Sequence, residues 1–232
     1  MILTTRQPIA GRGSVTQVQN KNPHCYHRTT RRQKKTRTTY RTILRCCLYF
    51  RQSGRTAATE GYPPNVELCR QTLLPLGIDF RPGDGASALP FDDGSFDMVI
   101  NRHGGFFPSD IDRLLRPGGI FVTQQVGAEN DRELVELLCG ETEMTFPEQY
   151  LDIASGKFHD AGFEILEAKE CYRPIRFYDV GALVWFARII EWEFPGFSVD
   201  ACRDRLLNAQ RILEQNGCIE GKIHRFLLAA KK

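Results

Sequence analysis

Between Thr59 and Gly127, short apolar runs alternate with Gly, Pro and Asp punctuation around a helical segment, which is the rhythm of a parallel α/β sheet. Thr56–Thr59 leads as a strand into Glu60-Gly61, and Pro63-Pro64-Asn65 opens a helix carrying Val66, Leu68, Leu73 and Leu74 along one side, closed by Gly77. Ile78–Arg81 reads as a short strand. Asp92-Asp93-Gly94-Ser95 is a turn before the strand Phe96–Asn101. A helix over Ser109–Leu115 stops at Arg116-Pro117-Gly118-Gly119, and Ile120–Val126 is rich in strand formers. Ligands of open α/β sheets bind at the carboxyl ends of strands, so the Gly- and Asp/Glu-bearing ends in this stretch hold the candidate site.

Farther along, Asn130 and Glu133 have the spacing of a capping box before a helix that runs through Cys139. Phe146-Pro147 opens a helix ending near Ala161-Gly162. Phe163–Lys169 and Cys171–Phe177 read as strand, with Pro174 admissible only at an edge or bulge. Asp179 caps a helix over Val180–Ile190, whose Trp185 and Phe186 are expected in the core. The amphipathic run Ala201–Gln215 ends at the C-cap signal Asn216-Gly217, and Ile223–Ala230 is apolar enough for an inner strand.

Charge divides the chain more sharply than its net value of +3 suggests: residues 1–59 hold thirteen Lys/Arg and no Asp or Glu, against eighteen and twenty-eight in residues 60–232. Residues 1–55 therefore read as a basic arm without fixed structure, since residues 1–40 have too few large aliphatics to offset the entropy of ordering. Ile43–Phe50 is the arm's one strand candidate. Residues 28–45 could contact a polyanion or carry a nuclear address, and an Arg-rich, acid-free start also resembles an organelle leader. A cytoplasmic protein is the default expectation, because no run reaches the roughly 18 apolar residues of a membrane helix. The eight cysteines include no C-x-x-C pair, and the aspartates 92, 93 and 97 have no His or Cys neighbour at ligand spacing, so no metal site is expected.

Glu60-Gly61 after a strand, Gly83-Asp84-Gly85, Leu89-Pro90-Phe91-Asp92-Asp93-Gly94-Ser95-Phe96-Asp97 and Arg116-Pro117-Gly118-Gly119 together resemble the class I S-adenosylmethionine-dependent methyltransferases over about residues 56–232. The resemblance implies an α/β, Rossmann-like, mostly parallel sheet with helices on both faces and an antiparallel final strand. It implies S-adenosylmethionine as cofactor, with Glu60 accepting from both ribose hydroxyls, Gly61 beside it and Tyr62 packed on the base. Asp84 would take the adenine amino group, with the Gly85 and Ala86 backbone close to the ring. Asn101 and Arg102 would end the next strand against the cofactor, and His103 is the candidate base toward a methyl acceptor. The acceptor, a small molecule or a nucleic acid, is open.

The family's opening strand and glycine-rich loop are not found before Glu60, so the fold reads as incomplete at its amino end. Only Arg51–Ala58 separate Ile43–Phe50 from Thr59, and a parallel crossover takes at least about 10–12 residues. Either Ile43–Phe50 fills the central slot or the sheet has a gap. The expected function is methyl transfer from S-adenosylmethionine; the alternative is a non-catalytic domain of the same fold whose basic arm binds RNA or another polyanion.

Overall fold

The computed structural model describes residues 2–6, 54–83 and 87–232, which fall into two compact units, Met1–Val122 with Lys231–Lys232 and Thr123–Ala230. The fold is α/β, as expected, and its pairing is mixed. The first unit contains β1 (Ile2–Arg6), β2 (Gly54–Glu60), α1 (Pro63–Leu73), β3 (Asp79–Pro82), β4 (Phe96–Arg102), α2 (Pro108–Leu114) and the first part of β5 (Leu115–Val126). Its strands lie in the order β3-β2-β1-β4-β5. β2 and β3 pair in parallel, with Ala57 opposite Asp79 and Glu60 opposite Pro82.

The place between β2 and β4 belongs to neither candidate foreseen for it. It is taken by β1, which runs antiparallel to both: Ile2 lies opposite Ala58 and Ile100, and Arg6 lies opposite Gly54. Residues 2–6 thus depart from the structureless arm expected of residues 1–55. Two strands with unpaired inner edges leave rows of N–H and C=O groups to be satisfied, and a five-residue segment containing Ile, Leu and two Thr supplies them. Ile43–Phe50 and the stretch 28–45 lie outside the described residues.

Helix α1 buries Asn65, Cys69 and Leu73, one residue per turn, against Ala58, Ile78 and Phe80. Leu74, expected on that side, is 47% exposed because the chain tightens there into a 3-10 turn, Leu74–Leu76, closed by Gly77 at φ 72. β5 begins at Leu115, earlier than the Gly118-Gly119 pair suggests, because Gly118 N donates to the Lys232 carbonyl and Lys232 N to Gly119 O, extending the ladder.

The second unit adds α3 (Arg132–Cys139), α4 (Leu151–Asp160), β6 (Glu164–Phe177), α5 (Val180–Ile189), α6 (Arg203–Asn216) and β7 (Ile219–Lys231), with strand order β5-β7-β6. β7 is an inner strand, and buried Phe226, Leu228 and Ala230 alternate along it. It returns antiparallel to β5: Gly127 N donates to His224 O, and Asp131 N, farther along, to Lys222 O. β6 is an edge strand, where Pro174 removes no ladder bond that a neighbour needs. Leu134, Leu138, Leu183, Phe194 and Ala209 form the buried centre of this unit.

Three local expectations change here. The capping box does not form, because Asn130 Oδ1 accepts from the His224 N–H and from Arg225, while Glu133 turns to the Lys222 N–H and ammonium. The N-cap is instead Asp131, at φ 58. Phe146-Pro147 lies in a turn, and α4 starts at Leu151. Trp185 is 44% exposed, whereas Phe186 packs on Phe177 and Phe194 as a core residue should.

Candidate functional site

β2 and β4 both run antiparallel to β1, so their carboxyl ends emerge at one edge of the first unit, and β3 ends there as well. Glu60 and Arg102 close β2 and β4, two strand spacings or roughly 10 Å apart. Ile2, opposite Ala58 and Ile100, lies between them.

The Glu60 carboxylate is oriented on both oxygens: Oε1 accepts from the Tyr62 N–H at 3.0 Å and Oε2 from Asn65 Nδ2 at 3.0 Å. Each oxygen keeps a second lone pair for a ligand hydroxyl. Asn65 is buried on α1 and its Oδ1 has no partner, so the side chain that aims Glu60 is itself held by packing. Glu60 also reaches the thiol of Cys69, pushed up to about 11 by burial first and by the Glu60 charge second. Tyr62 is the N-cap of α1 and 51% exposed, so its ring is open to a partner.

Gly83, just past β3, donates its N–H to the Glu60 carbonyl at 3.2 Å. A Cβ there would come within 3.1 Å of Leu89 Cδ2, so the close approach of these strand ends favours glycine. Asp84, Gly85 and Ala86, named for the adenine, lie outside the described residues.

At the end of β4, Asn101 is buried and its Nδ2 donates to the Gly105 carbonyl at 3.1 Å, folding the loop 102–105 back on itself. Arg102 and His103 are exposed, and His103 has φ 52, a left-handed conformation uncommon for a residue with a side chain. Phe106 packs on Phe121 while Phe107 stays half exposed. Glu60, Gly61, Tyr62, Asn101, Arg102 and His103 are thus gathered at one sheet edge. Asp97 pairs with Arg116 at 3.2 Å.

Sequence reasoning missed the residue that anchors the Leu89–Asp93 loop. Arg113 on α2 donates to the Leu89 and Phe91 carbonyls at 2.9 and 2.6 Å and pairs with Asp93 and Asp110. Asp110 in turn accepts from the Leu89 N–H at 3.0 Å. The i,i+3 spacing of Asp110 and Arg113 was the available signal. Asn65 was legible only as a helix-opening residue.

A second set of titratable groups lies within the second unit. His224 is fully buried: Nδ1 accepts from the Glu129 N–H at 3.1 Å, Nε2 meets Glu170 at 2.8 Å, and Tyr172 stacks on the ring at 4.4 Å. With Nδ1 accepting, the proton of the neutral ring sits on Nε2 and is donated to Glu170. Asp131, buried and accepting from the Asn130 amide, is pushed up to about 7, chiefly by desolvation and then by the charge of Glu193. His224 and Asp131 are buried, unlike Arg102 and His103, which are exposed.

Residues 43–123 match a family model described as a methyltransferase domain. The phthiotriol/phenolphthiotriol dimycocerosates methyltransferase of Mycobacterium tuberculosis is 38% identical over 73 residues, 28% of this chain and 27% of that protein. The fatty-acid O-methyltransferase of Mycolicibacterium smegmatis is 33% identical over 84 residues, 32% of this chain and 30% of that one. The matched stretch spans less than a third of the length of these curated relatives. The YcgJ protein of Bacillus subtilis superposes with a TM-score of 0.50 at 18% identity, covering 76% of this chain and 81% of that one. A functionally unknown protein of Deinococcus radiodurans R1 does so at 0.50 and 15%, covering 80% and 72%. These two likenesses concern the fold. Among the described residues no helix is long and apolar enough to cross a membrane.

Proposed function

From a chain whose residues 43–123 belong to the methyltransferase domain family, we propose that the protein binds S-adenosylmethionine at the edge formed by Glu60, Gly83 and Arg102 and transfers its methyl group to an oxygen of an apolar acceptor. The observation that carries this reading is the Glu60 carboxylate, fixed at the end of β2 by Tyr62 and Asn65 with lone pairs left over for two ribose hydroxyls. Tyr62, exposed one turn from Glu60, is placed to cover a base.

The residues fit the two ends of the cofactor unequally. The adenosine end has Glu60 and Tyr62. Toward the methionine end, a family member would have a strand ending in a glycine loop between β2 and β4, but β1 runs the other way and its carboxyl end, Arg6, is at the opposite edge. That portion of the ligand is left to the loop 102–105. Bound S-adenosylmethionine supplies an electrophilic methyl group, and transfer asks of the protein mainly alignment.

Arg102 and the left-handed His103 are the groups of this chain nearest to such an acceptor. His103 would take the proton of a hydroxyl as the oxygen is methylated. Exposed Phe107 offers an apolar contact beside it. An apolar acceptor accords with the relatives named for a fatty acid and for phthiotriol and phenolphthiotriol dimycocerosates.

Incubation with methyl-labelled S-adenosylmethionine and a panel of long-chain alcohols, phenols and fatty acids tests this directly. The expected result is label in at least one lipid-soluble product, reduced at least about tenfold by His103→Ala. Absence of label in every acceptor, with folding verified, would remove the reading.

A further inference from the structure

The first unit has a cleft toward the amino end of β2. It is lined by the amino ends of β2, β3, β4 and β5 and encloses about 320 Å³. Along β2, Arg55 lies five residues, roughly 17 Å, before Glu60, while Arg81 on β3 lies opposite Thr59 and reaches back toward Asp79. Three arginines meet in this cleft: Arg55 from β2, Arg81 from β3 and Arg116 from β5.

Two of the three are held rigidly. Arg81 donates Nε and Nη2 to Asp79 at 3.2 and 3.0 Å and Nη1 to the Pro90 carbonyl, and its guanidinium lies 4.6 Å from the centre of the Phe91 ring. Arg116 donates Nε to the Gly94 carbonyl at 3.1 Å and Nη1 to Asp97 at 3.2 Å. A guanidinium has five N–H donors, so Arg81 keeps two and the Nη2 amine of Arg116 is wholly unused. Arg55 is exposed and has no hydrogen bond or ion pair among the described residues. Thr56, lining the same cleft, has a buried hydroxyl with no partner.

The cleft therefore has a surplus of preoriented donors with few acceptors to meet them. Asp79 and Asp97 offset two of the positive charges, and Asp92 on the lining limits the attraction for an anion, which sets the affinity low. Guanidinium forks held by carboxylates suit the oxygens of a tetrahedral anion, which can accept from several arginines at once.

We propose that this cleft binds the phosphate group of a small ligand, at a site separate from the one holding Glu60. Arg55, unpaired among the described residues, supplies the charge, and Arg81 and Arg116 supply fixed donors on either side. The inference does not rest on the methyl-transfer reading, since none of the three arginines has a part in that site.

Titration with inorganic phosphate, and in parallel with glycerol phosphate, followed by calorimetry at low ionic strength, tests it. Saturable binding with Kd on the order of millimolar is expected. Arg55→Gln should weaken it at least about fivefold and Arg116→Gln similarly, with unchanged circular dichroism, while Glu60→Gln leaves it intact. Tighter binding of the ester than of inorganic phosphate assigns the cleft to an organic phosphate, and equal binding assigns it to the anion alone. Non-saturable heats to tens of millimolar, or binding undiminished in both folded arginine variants, would overturn the proposal.

Discussion

Glu60 and His224 are each held by two partners, yet they teach opposite lessons. Glu60 is oriented by Tyr62 and Asn65 at the open end of a strand, with unused lone pairs and an exposed tyrosine beside it. His224 is bonded to Glu129 and Glu170 and capped by the Tyr172 ring, with no surface left. Both carry oriented polar side chains, and only the Glu60 set keeps a charged acceptor with unused lone pairs at an accessible strand end. A titratable cluster alone therefore does not mark a site; spare donors or acceptors at an accessible strand end do. The packing of His224 instead ties β7 to β5 and β6 and specifies the second unit.

The hardest test of that contrast is Gly127→Ala. A Cβ at Gly127 would stand 2.1 Å from the His224 ring, and neither β5 nor the fully buried imidazole has room to yield. A loss of about 3 kcal/mol in urea unfolding is expected, with little effect on ligand binding at the first unit's edge in the folded fraction. A loss below about 0.5 kcal/mol would mean that the imidazole is not fixed as described.

Arg113→Ala probes the other side. It removes the donors that hold the Leu89 and Phe91 carbonyls and leaves Asp110 short of a partner. A cost of roughly 2 kcal/mol is expected, and weaker cofactor binding with it if the proposed site extends to the loop that Arg113 anchors. Unchanged affinity for S-adenosylhomocysteine in that variant would separate the loop from the site.

The smallest expected effect depends on pH. Asp131 binds its proton more tightly folded than unfolded, with its carboxyl pushed up to about 7. Between the ordinary carboxylate range near pH 4 and pH 7 the folded state holds the extra proton, so stability from this group falls as pH rises and levels off above it. Asp131→Asn, at a φ of 58 that Asn tolerates, should stabilise by about 1 kcal/mol at pH 8 and by progressively less toward pH 4. Equal effects at both pH values in thermal melts would show that the carboxyl is not desolvated.

Much of the fold was legible because its signals are local. The strand ending in Glu60, the Pro63 helix start, the Gly77 stop and the alternating β7 each follow from turn chemistry or periodicity. β1 was illegible because its partners are remote: Ile2–Arg6 pairs with residues 48 or more positions away, and an Ile-Leu-Thr-Thr run followed by a long acid-free stretch looks like the start of an arm. The failed capping box has the same origin, since Asn130 and Glu133 are claimed by β7, about ninety residues on. For the site, chain order placed Glu60, Asn101, Arg102 and His103 together because parallel strands end at one edge. The supporting Asn65 and Arg113 needed three dimensions, for their partners are fixed by packing rather than spacing. Trp185, expected inside, shows that apolar character in a helix does not decide which face is covered.

The central claim is that Glu60 receives the ribose of S-adenosylmethionine, and calorimetric titration with S-adenosylhomocysteine tests it most directly. In Glu60→Gln, the amide oxygen can still accept from Tyr62, and once the Asn65 amide turns over the new NH2 can donate to its Oδ1, so the fold should hold while the charged acceptor is lost. The account predicts saturable binding to the native chain and a loss of about tenfold or more in the variant, with unfolding midpoints that agree. Equal affinity of the two proteins, or no binding to the native chain at millimolar ligand, would contradict it.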